Sequence, residues 1–171
     1  MHNDYFQKWC CLLIIDDPSI SGSGISTVIS PEVQNFIHAS YCNCYIYSNT
    51  ITADFATVIS LNETEGNLIE HAFRSAFEAG FRKVILIDAT AAIHPKWLEE
   101  AFLSLKMIEF CIGPKSEGCY LFGMNSFEKD FFNEMPAVLL TDKKALIRKI
   151  GKTHLALYKT PLLADVSLSG S

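Results

Sequence analysis

Acidic residues follow two aliphatic runs in this sequence. Asp16 and Asp17 come directly after the run 10–15, and Asp88 comes directly after the run 83–87. Carboxylate oxygens are the ligands that Mg²⁺ and Mn²⁺ prefer. These positions predict a divalent-metal site in which Asp88 is the metal ligand. Acids that end a strand and face solvent would show the same pattern. The alternative to a metal site is therefore that these residues are ordinary surface acids.

Two further acids, Glu117 and Asp165, are candidate catalytic residues. Each could act as a general base or contact a metal if the fold brings it to the same place as Asp88. Glu117 lies in the turn-like segment 116–118, and Asp165 lies near the end of the sequence.

A glycine-rich segment suggests a different chemistry, the binding of phosphate. Gly22 and Gly24 flank a serine, and backbone N–H groups in such turns can hold phosphate oxygens. Thr27 stands where the pattern G-x-G-x-x-G requires its third glycine, and no Lys-Ser or Lys-Thr pair completes the segment as a P-loop. The residues therefore favour an ordinary loop, with phosphate binding as the alternative.

The composition limits the classes of partner. The 171 residues carry 14 basic and 19 acidic side chains, a net charge of −5, whereas nucleic-acid binders usually carry a basic surplus. The apolar run 10–15 is far shorter than the roughly twenty residues that a membrane span needs. We therefore expect a cytoplasmic protein that has neither nucleic acid nor a membrane among its partners.

The six cysteines indicate buried thiols rather than a zinc site. No C-x-x-C pair occurs, and the five histidines are scattered, whereas zinc ligands cluster in sequence. A metal pair formed by Cys42 and Cys44 is the alternative.

The elements that must position these residues alternate between strands and helices. Apolar runs predict strands at 9–15, 42–47, 57–61, 83–88, 110–112, 119–124 and 155–158. Helical spacing and capping residues predict helices from Pro31 with Ser30 as the cap, from Asn62 or Thr64 to Gly80, from Pro95, from Ser126 to Asn133, and from Lys143 to Ile150 with Gly151 as the stop.

This alternation, with short connections, predicts one three-layer α/β domain over residues 1–171 with a mostly parallel sheet. Ligands of such sheets bind beyond the carboxyl ends of the strands. Asp16, Asp17, Asp88 and the segment 113–118 are expected to approach one another there.

Four segments between Gly66 and Ser167 resemble one known family. Residues 66–71 resemble its pattern G-D-L-G-E-R, and residues 84–95 resemble its acidic strand-end motif. Residues 113–124 resemble its pattern G-P-a-x-D-G-G-Y-y-L-i-G-l, and residues 165–167 resemble its closing D-v-D-t. The family comprises small bacterial GT-A-like proteins of the nucleotide-diphospho-sugar transferase superfamily.

The resemblance implies a Rossmann-related GT-A fold that handles a nucleotide sugar with Mg²⁺ or Mn²⁺. Near its motifs, Asp88 is the candidate metal ligand, and Glu117 and Asp165 are the candidate catalytic residues. The candidate cofactor-binding positions are Asp16, Gly22, Gly24, Glu70 and Gly118.

This sequence departs from the family pattern at charged positions. The motif acids fall on Ala89, Ala92 and Ser167, and the basic residues of the family's first loop fall on Asp16, Ile25 and Thr27. Asp88 is one residue early, so its side chain should point to the strand face opposite that of residue 89. Because a diphosphate needs metal or basic side chains to offset its charge, these departures predict degenerate or absent metal-dependent catalysis.

Two alternatives remain at this point. One is an active glycosyl- or nucleotidyltransferase that uses Asp88 or Asp16 with Glu117 and Asp165 around a metal. The other is a non-catalytic binding module or homo-oligomer, in which Phe127, Phe131 and Phe132 leave an apolar surface patch.

Overall fold

The computed structural model of the chain describes residues 2–16, 29–63, 67–132 and 142–163. Within these ranges the strands are β1 (Cys10–Ile15), β2 (Asn43–Tyr47), β3 (Thr57–Ile59), β4 (Lys83–Ile87), β5 (Phe110–Pro114), β6 (Cys119–Met124) and β7 (Leu157–Lys159). The helices are α1 (His2–Trp9), α2 (Pro31–Ser40), α3 (Leu68–Glu78), α4 (Pro95–Ser104) and α5 (Lys143–Thr153). The predicted site residues Asp17, Gly22, Gly24 and Asp165 lie outside the described residues.

The strands form one seven-stranded sheet in the order β3-β2-β1-β4-β6-β5-β7. The pairs β2–β3, β1–β2, β1–β4 and β5–β7 are parallel, and only β6 runs antiparallel to its neighbours β4 and β5 among the described strands. A four-residue turn, in which the Lys115 N–H donates to the Gly118 carbonyl at 2.8 Å, joins β5 to β6. So short a connection requires an antiparallel pair.

Helices cover both faces of the sheet, which confirms the three-layer α/β prediction. One face packs against α1, α2 and α4 through residues that include Phe6, Phe36 and Phe102. The other packs against α3 and α5 through residues that include Phe73 and Leu146. We call these the α2 face and the α3 face. Alternation along β1 sends Leu12 and Ile14 to the α2 face and Leu13 and Ile15 to the α3 face.

Side chains cap the helices where the chain turns into them. The Ser30 hydroxyl accepts from the Val33 N–H at 3.4 Å, and the Asp142 carboxylate accepts from the Ala145 N–H at 3.0 Å, as predicted. The cap of α3 is Asn67, whose side-chain oxygen accepts from the Glu70 N–H at 3.1 Å. The prediction of Asn62 as that cap was wrong because Asn62 lies in a separate 3₁₀ turn, Leu61–Glu63. Thr64 lies outside the described residues.

Further features of the structure differ from the sequence-based expectation, including the helix predicted from Ser126, where the described residues form only the 3₁₀ turn Lys129–Phe132. Helix α1 was not predicted, because its eight residues show little apolar periodicity beyond the buried Phe6. Gly151 does not end α5, which continues to Thr153 and ends at His154 in a left-handed conformation with φ 62°. The apolar surface patch is also wrong at two positions, because Phe131 and Phe132 are each only 3% exposed in the core.

None of the described helices combines the length and the apolar character that crossing a membrane requires.

Candidate functional site

The carboxyl ends of β1, β2 and β4 meet at one edge of the sheet because the three strands are parallel. Asp16 follows β1, Ser48 follows β2 and Asp88 follows β4. The β5–β6 turn, residues 115–118, reaches the same edge through an ion pair described below. We call this region the carboxyl edge. It brings together Asp16, Asp88 and the turn, in agreement with the topology predicted from the sequence.

The Asp16 carboxylate is bound to the segment that follows β2. The Ser48 hydroxyl donates to Asp16 Oδ2 at 2.7 Å, and the Thr50 hydroxyl donates to the same oxygen at 3.1 Å. The Asp16 backbone N–H donates to the Tyr47 carbonyl at 2.9 Å, which extends the β1–β2 ladder by one bond. These contacts orient Asp16 toward β2.

The Asp88 carboxylate is bound to different partners. Its Oδ1 accepts from the Thr90 N–H at 3.1 Å and from the Thr90 hydroxyl at 2.7 Å, which closes a local turn after β4. Its Oδ2 lies 3.4 Å from Lys115 Nζ in an ion pair. The Asp88 side chain is 22% exposed, so the edge remains accessible from solvent. Asp88 therefore carries a positive partner supplied by the protein itself.

Strand alternation, extended one residue past β1 and β4, assigns Asp16 and Asp88 to opposite faces of the sheet. Ile15 packs on the α3 face and Ile87 on the α2 face, so the residue after each strand is directed to the other side. Ala89, where the family pattern has an acid, is 3% exposed on the α2 face. No contact between the described residues joins the two carboxylates.

The β5–β6 turn is held by the first residue of α5. Lys143 Nζ donates to the Lys115 carbonyl at 2.8 Å and to the Ser116 carbonyl at 3.4 Å, and the Lys143 N–H donates to the Glu117 carbonyl at 3.2 Å. Burial raises the pKa of the Cys119 thiol to about 11, and the nearby Lys143 and Lys115 ammonium groups partly oppose that rise. Two cations therefore lie beside the turn.

Glu117 and Gly118 occupy this turn, but only their backbone takes part in the contacts described. The Glu117 side chain is exposed, and among the described residues no hydrogen bond or ion pair connects it to Asp16 or Asp88. Gly118 is buried and its carbonyl closes the turn. The catalytic role of Glu117 and the nucleotide-binding role of Gly118 stay predictions.

Glu70 lies in the first turn of α3, and its carboxylate pairs with Arg74 one turn later at 3.7 Å. No contact within the described ranges links it to Asp16 or Asp88. Its nucleotide-binding role also stays a prediction.

A buried tyrosine fixes the β5–β6 hairpin to the last described segment of the chain. The Tyr120 hydroxyl lies 2.6 Å from Thr160 Oγ1 and donates to the Pro161 carbonyl at 2.7 Å. A side chain at Gly113 would meet the Tyr120 ring, since a Cβ there would lie 2.4 Å from Tyr120 Cζ. The Leu163 N–H donates to the Pro114 carbonyl at 3.0 Å, so the chain passes the hairpin just before residue 165.

The described residues do not fit a metal centre. Nowhere in the described ranges do three or more His, Cys, Asp or Glu side chains lie close enough together to hold a metal ion. Asp88, the predicted metal ligand, has Lys115 as its charged partner, and the Asp16 carboxylate is bound by Ser48 and Thr50. A cation placed on Asp88 would have to displace the Lys115 ammonium group.

The lysines of this edge are the functional candidates that the sequence did not reveal. Lys115 lies 27 residues from Asp88 in the chain, so no local spacing relates the two. Lys115 belongs to the segment 113–118, which the sequence places at this edge, so it could have been identified as a candidate. Nothing in the sequence indicated Lys143, because its position after the capping residue Asp142 predicts only the start of a helix.

Solved structures with the same fold come from several bacteria. A "putative nucleotide-diphospho-sugar transferase" from Desulfovibrio desulfuricans G20 superposes with a TM-score of 0.65 at 18% identity, covering 91% of this chain and 81% of that one. Rv0371c from Mycobacterium tuberculosis H37Rv, in complex with manganese, superposes with a TM-score of 0.55 at 8% identity, covering 92% and 89%.

A cytidylyltransferase from Leptospira borgpetersenii serovar Hardjo-bovis (strain JB197) superposes with a TM-score of 0.56 at 10% identity, covering 91% of this chain and 76% of that one. At these identities the likeness establishes the fold, which is that of nucleotide-diphospho-sugar transferases. None of the curated proteins matches the chain closely enough to count as a relative.

The sequence profile of one bacterial family matches residues 47–137, just over half of the chain. The matched region contains β4, the β5–β6 hairpin and therefore both partners of the Asp88–Lys115 ion pair. The resemblance seen in the sequence to small bacterial GT-A-like proteins is confirmed by this match and by the solved structures. The chain belongs to the bacterial family described as "Uncharacterized protein conserved in bacteria (DUF2064)".

Proposed function

We propose that the chain is a nucleotide-sugar-transferase-like protein whose metal-dependent catalysis is degenerate or absent. The observation that carries this proposal is the ion pair between Asp88 and Lys115 at 3.4 Å. The acid expected to bind a metal is neutralised by a lysine of the same chain. Its second oxygen is bound by Thr90.

The fold supports the nucleotide part of the proposal. Proteins of this fold include one named for nucleotide-diphospho-sugar transfer and one named for cytidylyl transfer. Both names refer to nucleotide chemistry, and ligands of open α/β sheets bind at the carboxyl ends of the strands. We therefore assign any nucleotide sugar of this chain to the carboxyl edge.

Electrostatics supports the loss of metal-dependent transfer. A transferred nucleotide diphosphate needs cations that stabilise the charge developing on its phosphate oxygens. At this edge the described cations are Lys115 and Lys143, and both are already committed to contacts with the protein. The edge can accept an anion weakly, but its described residues lack the carboxylate cluster that would hold a divalent metal against a diphosphate.

Thermal denaturation in the presence of nucleotide sugars tests the proposal. UDP-glucose and GDP-mannose would each be added with Mn²⁺ and with a chelator. A site filled at about one hundred times its Kd stabilises a protein by about 2.7 kcal/mol, or roughly 5–10 °C for a domain of this size. We expect a metal-dependent rise in Tm below about 1 °C, since the shift scales with ligand occupancy.

Two variants define the outcome that would overturn the proposal. A large Mn²⁺-dependent rise that disappears in Asp88→Asn and persists in Asp130→Asn would establish an active metal site at Asp88. Asp130 is the matched control because it is an exposed acid of the 3₁₀ turn Lys129–Phe132. Such a result would overturn the degenerate site and favour the active transferase.

A further inference from the structure

Four cations gather around two aromatic rings at the edge of the sheet where β1 and β4 begin. Lys8 Nζ lies 4.9 Å and Arg82 Cζ 5.2 Å from the centre of the Trp9 ring. Lys106 Nζ lies 4.2 Å and Lys83 Nζ 5.7 Å from the centre of the Tyr5 ring. We call these four cations and two rings the basic edge.

None of the four cations of the basic edge forms an ion pair within the described part of the chain, although Asp4 lines the same surface as Tyr5, Lys8 and Trp9. The ion pairs among the described residues are Arg74–Glu70 and Lys115–Asp88, and neither involves the basic edge. Burial lowers the pKa of Lys83, and the like charges of Arg82 and Lys106 lower it further. A surface with four unpaired cations in a chain of net charge −5 is complementary to an anionic partner.

An apolar side chain projects beside these cations. Met107 follows Lys106 directly and is 86% exposed, the largest exposed fraction among the exposed large apolar side chains described. Tyr5 and Trp9 are half-buried, with the Tyr5 hydroxyl donating to the Phe102 carbonyl at 2.8 Å. Cations, amphipathic rings and a protruding apolar chain together are typical of proteins that lie on a bilayer surface. An acidic protein partner would be attracted by the cations alone, so the rings and Met107 are the features that favour a bilayer.

The basic edge and the carboxyl edge are at opposite ends of the sheet. Cys10 pairs with Lys83 where β1 and β4 begin, and Asp16 and Asp88 follow the same two strands where they end. A surface docked on the basic edge would leave the carboxyl edge open to soluble ligands.

We propose that the basic edge docks the protein on the surface of an anionic lipid bilayer. The expectation of no membrane partner came from the lack of an apolar run long enough to span a bilayer. Surface association needs neither a basic total nor a span, because it depends on charges within about a Debye length of the lipid headgroups. The proposal is independent of the function proposed for the carboxyl edge.

Co-sedimentation with vesicles tests the electrostatic part. The vesicles would contain phosphatidylcholine alone or phosphatidylcholine with roughly 30% phosphatidylglycerol, an anionic fraction large enough to give a negative surface potential. We expect binding to the anionic vesicles only, and its loss in high salt. Each cation removed should weaken binding roughly fivefold, so Arg82→Gln with Lys106→Gln should weaken it about 25-fold.

The matched control is Lys144→Gln with Lys152→Gln, which removes the same charge from exposed positions of α5. It should change vesicle binding less than twofold. Equal weakening by both double variants would overturn the proposal, because net charge rather than the basic edge would then control binding. Thermal melting of each variant confirms that the exposed substitutions leave the fold intact.

Met107→Ser tests the apolar part, with Leu162→Ser as the control because Leu162 is also exposed, at 63%, and belongs to a different segment. We expect Met107→Ser to weaken vesicle binding several-fold and Leu162→Ser to leave it unchanged. Binding to soluble polyglutamate without binding to anionic vesicles would overturn the bilayer in favour of an acidic protein partner.

Discussion

At the scale of single residues, the contacts of Asp88 decide what the carboxyl edge can do. An acid at the end of a parallel strand is well placed for a metal, but Asp88 has Lys115 on one oxygen and Thr90 on the other. Such a half-exposed ion pair contributes little to stability, about 0–1 kcal/mol. Its importance is chemical, because it gives the carboxylate a charged partner before any ligand arrives.

Gly113 is the residue at which the smallest side-chain addition should have the largest effect. A Cβ there would lie 2.4–2.9 Å from the Tyr120 ring, and two hydrogen bonds of the Tyr120 hydroxyl prevent the ring from moving away. Gly113→Ala should therefore lower the free energy of unfolding by about 1–3 kcal/mol, the usual cost of overpacking. Urea denaturation at neutral pH measures it.

Gly151 provides the control for this prediction. It lies inside α5, where an added Cβ would meet no atom within 4 Å beyond its chain neighbours and the backbone of its own helix. Gly151→Ala should raise the free energy of unfolding by about 0.5–1 kcal/mol because alanine favours the helix. A lower free energy of unfolding in Gly151→Ala, or an unchanged one in Gly113→Ala, would contradict these predictions.

At the scale of elements, capping side chains determine where the helices begin. Ser30 and Asp142 were recognised because each directly precedes a helix-favouring segment, and the structure places both as caps. For α3, two polar residues upstream were chosen over Asn67, although Asn67 directly precedes Leu68. Asn62 instead belongs to a separate 3₁₀ turn, Leu61–Glu63.

Replacing Asn67 and Asn62 in turn tests which of the two caps α3. Asn67→Ala removes the acceptor of the Glu70 N–H and should lower the free energy of unfolding by about 1 kcal/mol. Asn62→Ala, at an exposed position, should change it by less than about 0.5 kcal/mol. Chemical denaturation of both variants decides between the positions, and a larger loss for Asn62→Ala would reverse the assignment.

At the scale of the whole molecule, the sheet places all six cysteines in the interior. The prediction of buried thiols is confirmed by this placement. Cys10 and Cys44 lie on the α2 face, and burial raises the pKa of each thiol to about 12. A thiol with so high a pKa is a poor nucleophile and a poor metal ligand.

These pKa shifts predict a decline of stability at alkaline pH. An unfolded thiol loses its proton near pH 9, whereas the folded Cys44 keeps it to about pH 12. The folded state therefore binds more protons between these values, and stability falls as pH rises through this window. Below pH 9 both states are protonated and no such contribution exists.

Urea midpoints measured from pH 8 to pH 10.5 test this prediction. The midpoint should fall with increasing pH, and Cys44→Ala should show a shallower fall although it is less stable at pH 8. An identical slope in the variant would show that the Cys44 thiol does not contribute. Other buried ionisable groups add to the slope in both proteins, so the comparison isolates one thiol.

The whole molecule also separates the carboxyl edge from the basic edge. Asp16 and Asp88 lie at the carboxyl ends of β1 and β4, and the cations around Tyr5 and Trp9 lie at the opposite ends. The net charge did not reveal this separation, because it does not say where in the fold the charged residues lie. The scarcity of basic residues is real, but four of them are concentrated in one place.

The sequence by itself determined the α/β class, most of the strands and helices, two of the helix caps and the family resemblance. These depend on residues that are neighbours in the chain, such as the pairs of apolar residues along α3 or the Ser30-Pro31 step into α2. Capping and hydrophobic periodicity act over one or two turns, so the chain carries them without reference to the rest of the fold.

Only the tertiary structure decided which side chains meet. The Asp88–Lys115 pair, the opposed directions of Asp16 and Asp88, and the gathering of cations around Tyr5 and Trp9 join distant segments. Each depends on the order and the register of the strands. A shift of one residue in the register of a strand would turn each of its side chains to the other face of the sheet. Hydrophobic pattern selects the layers, and the packing of those layers then selects the contacts that determine function.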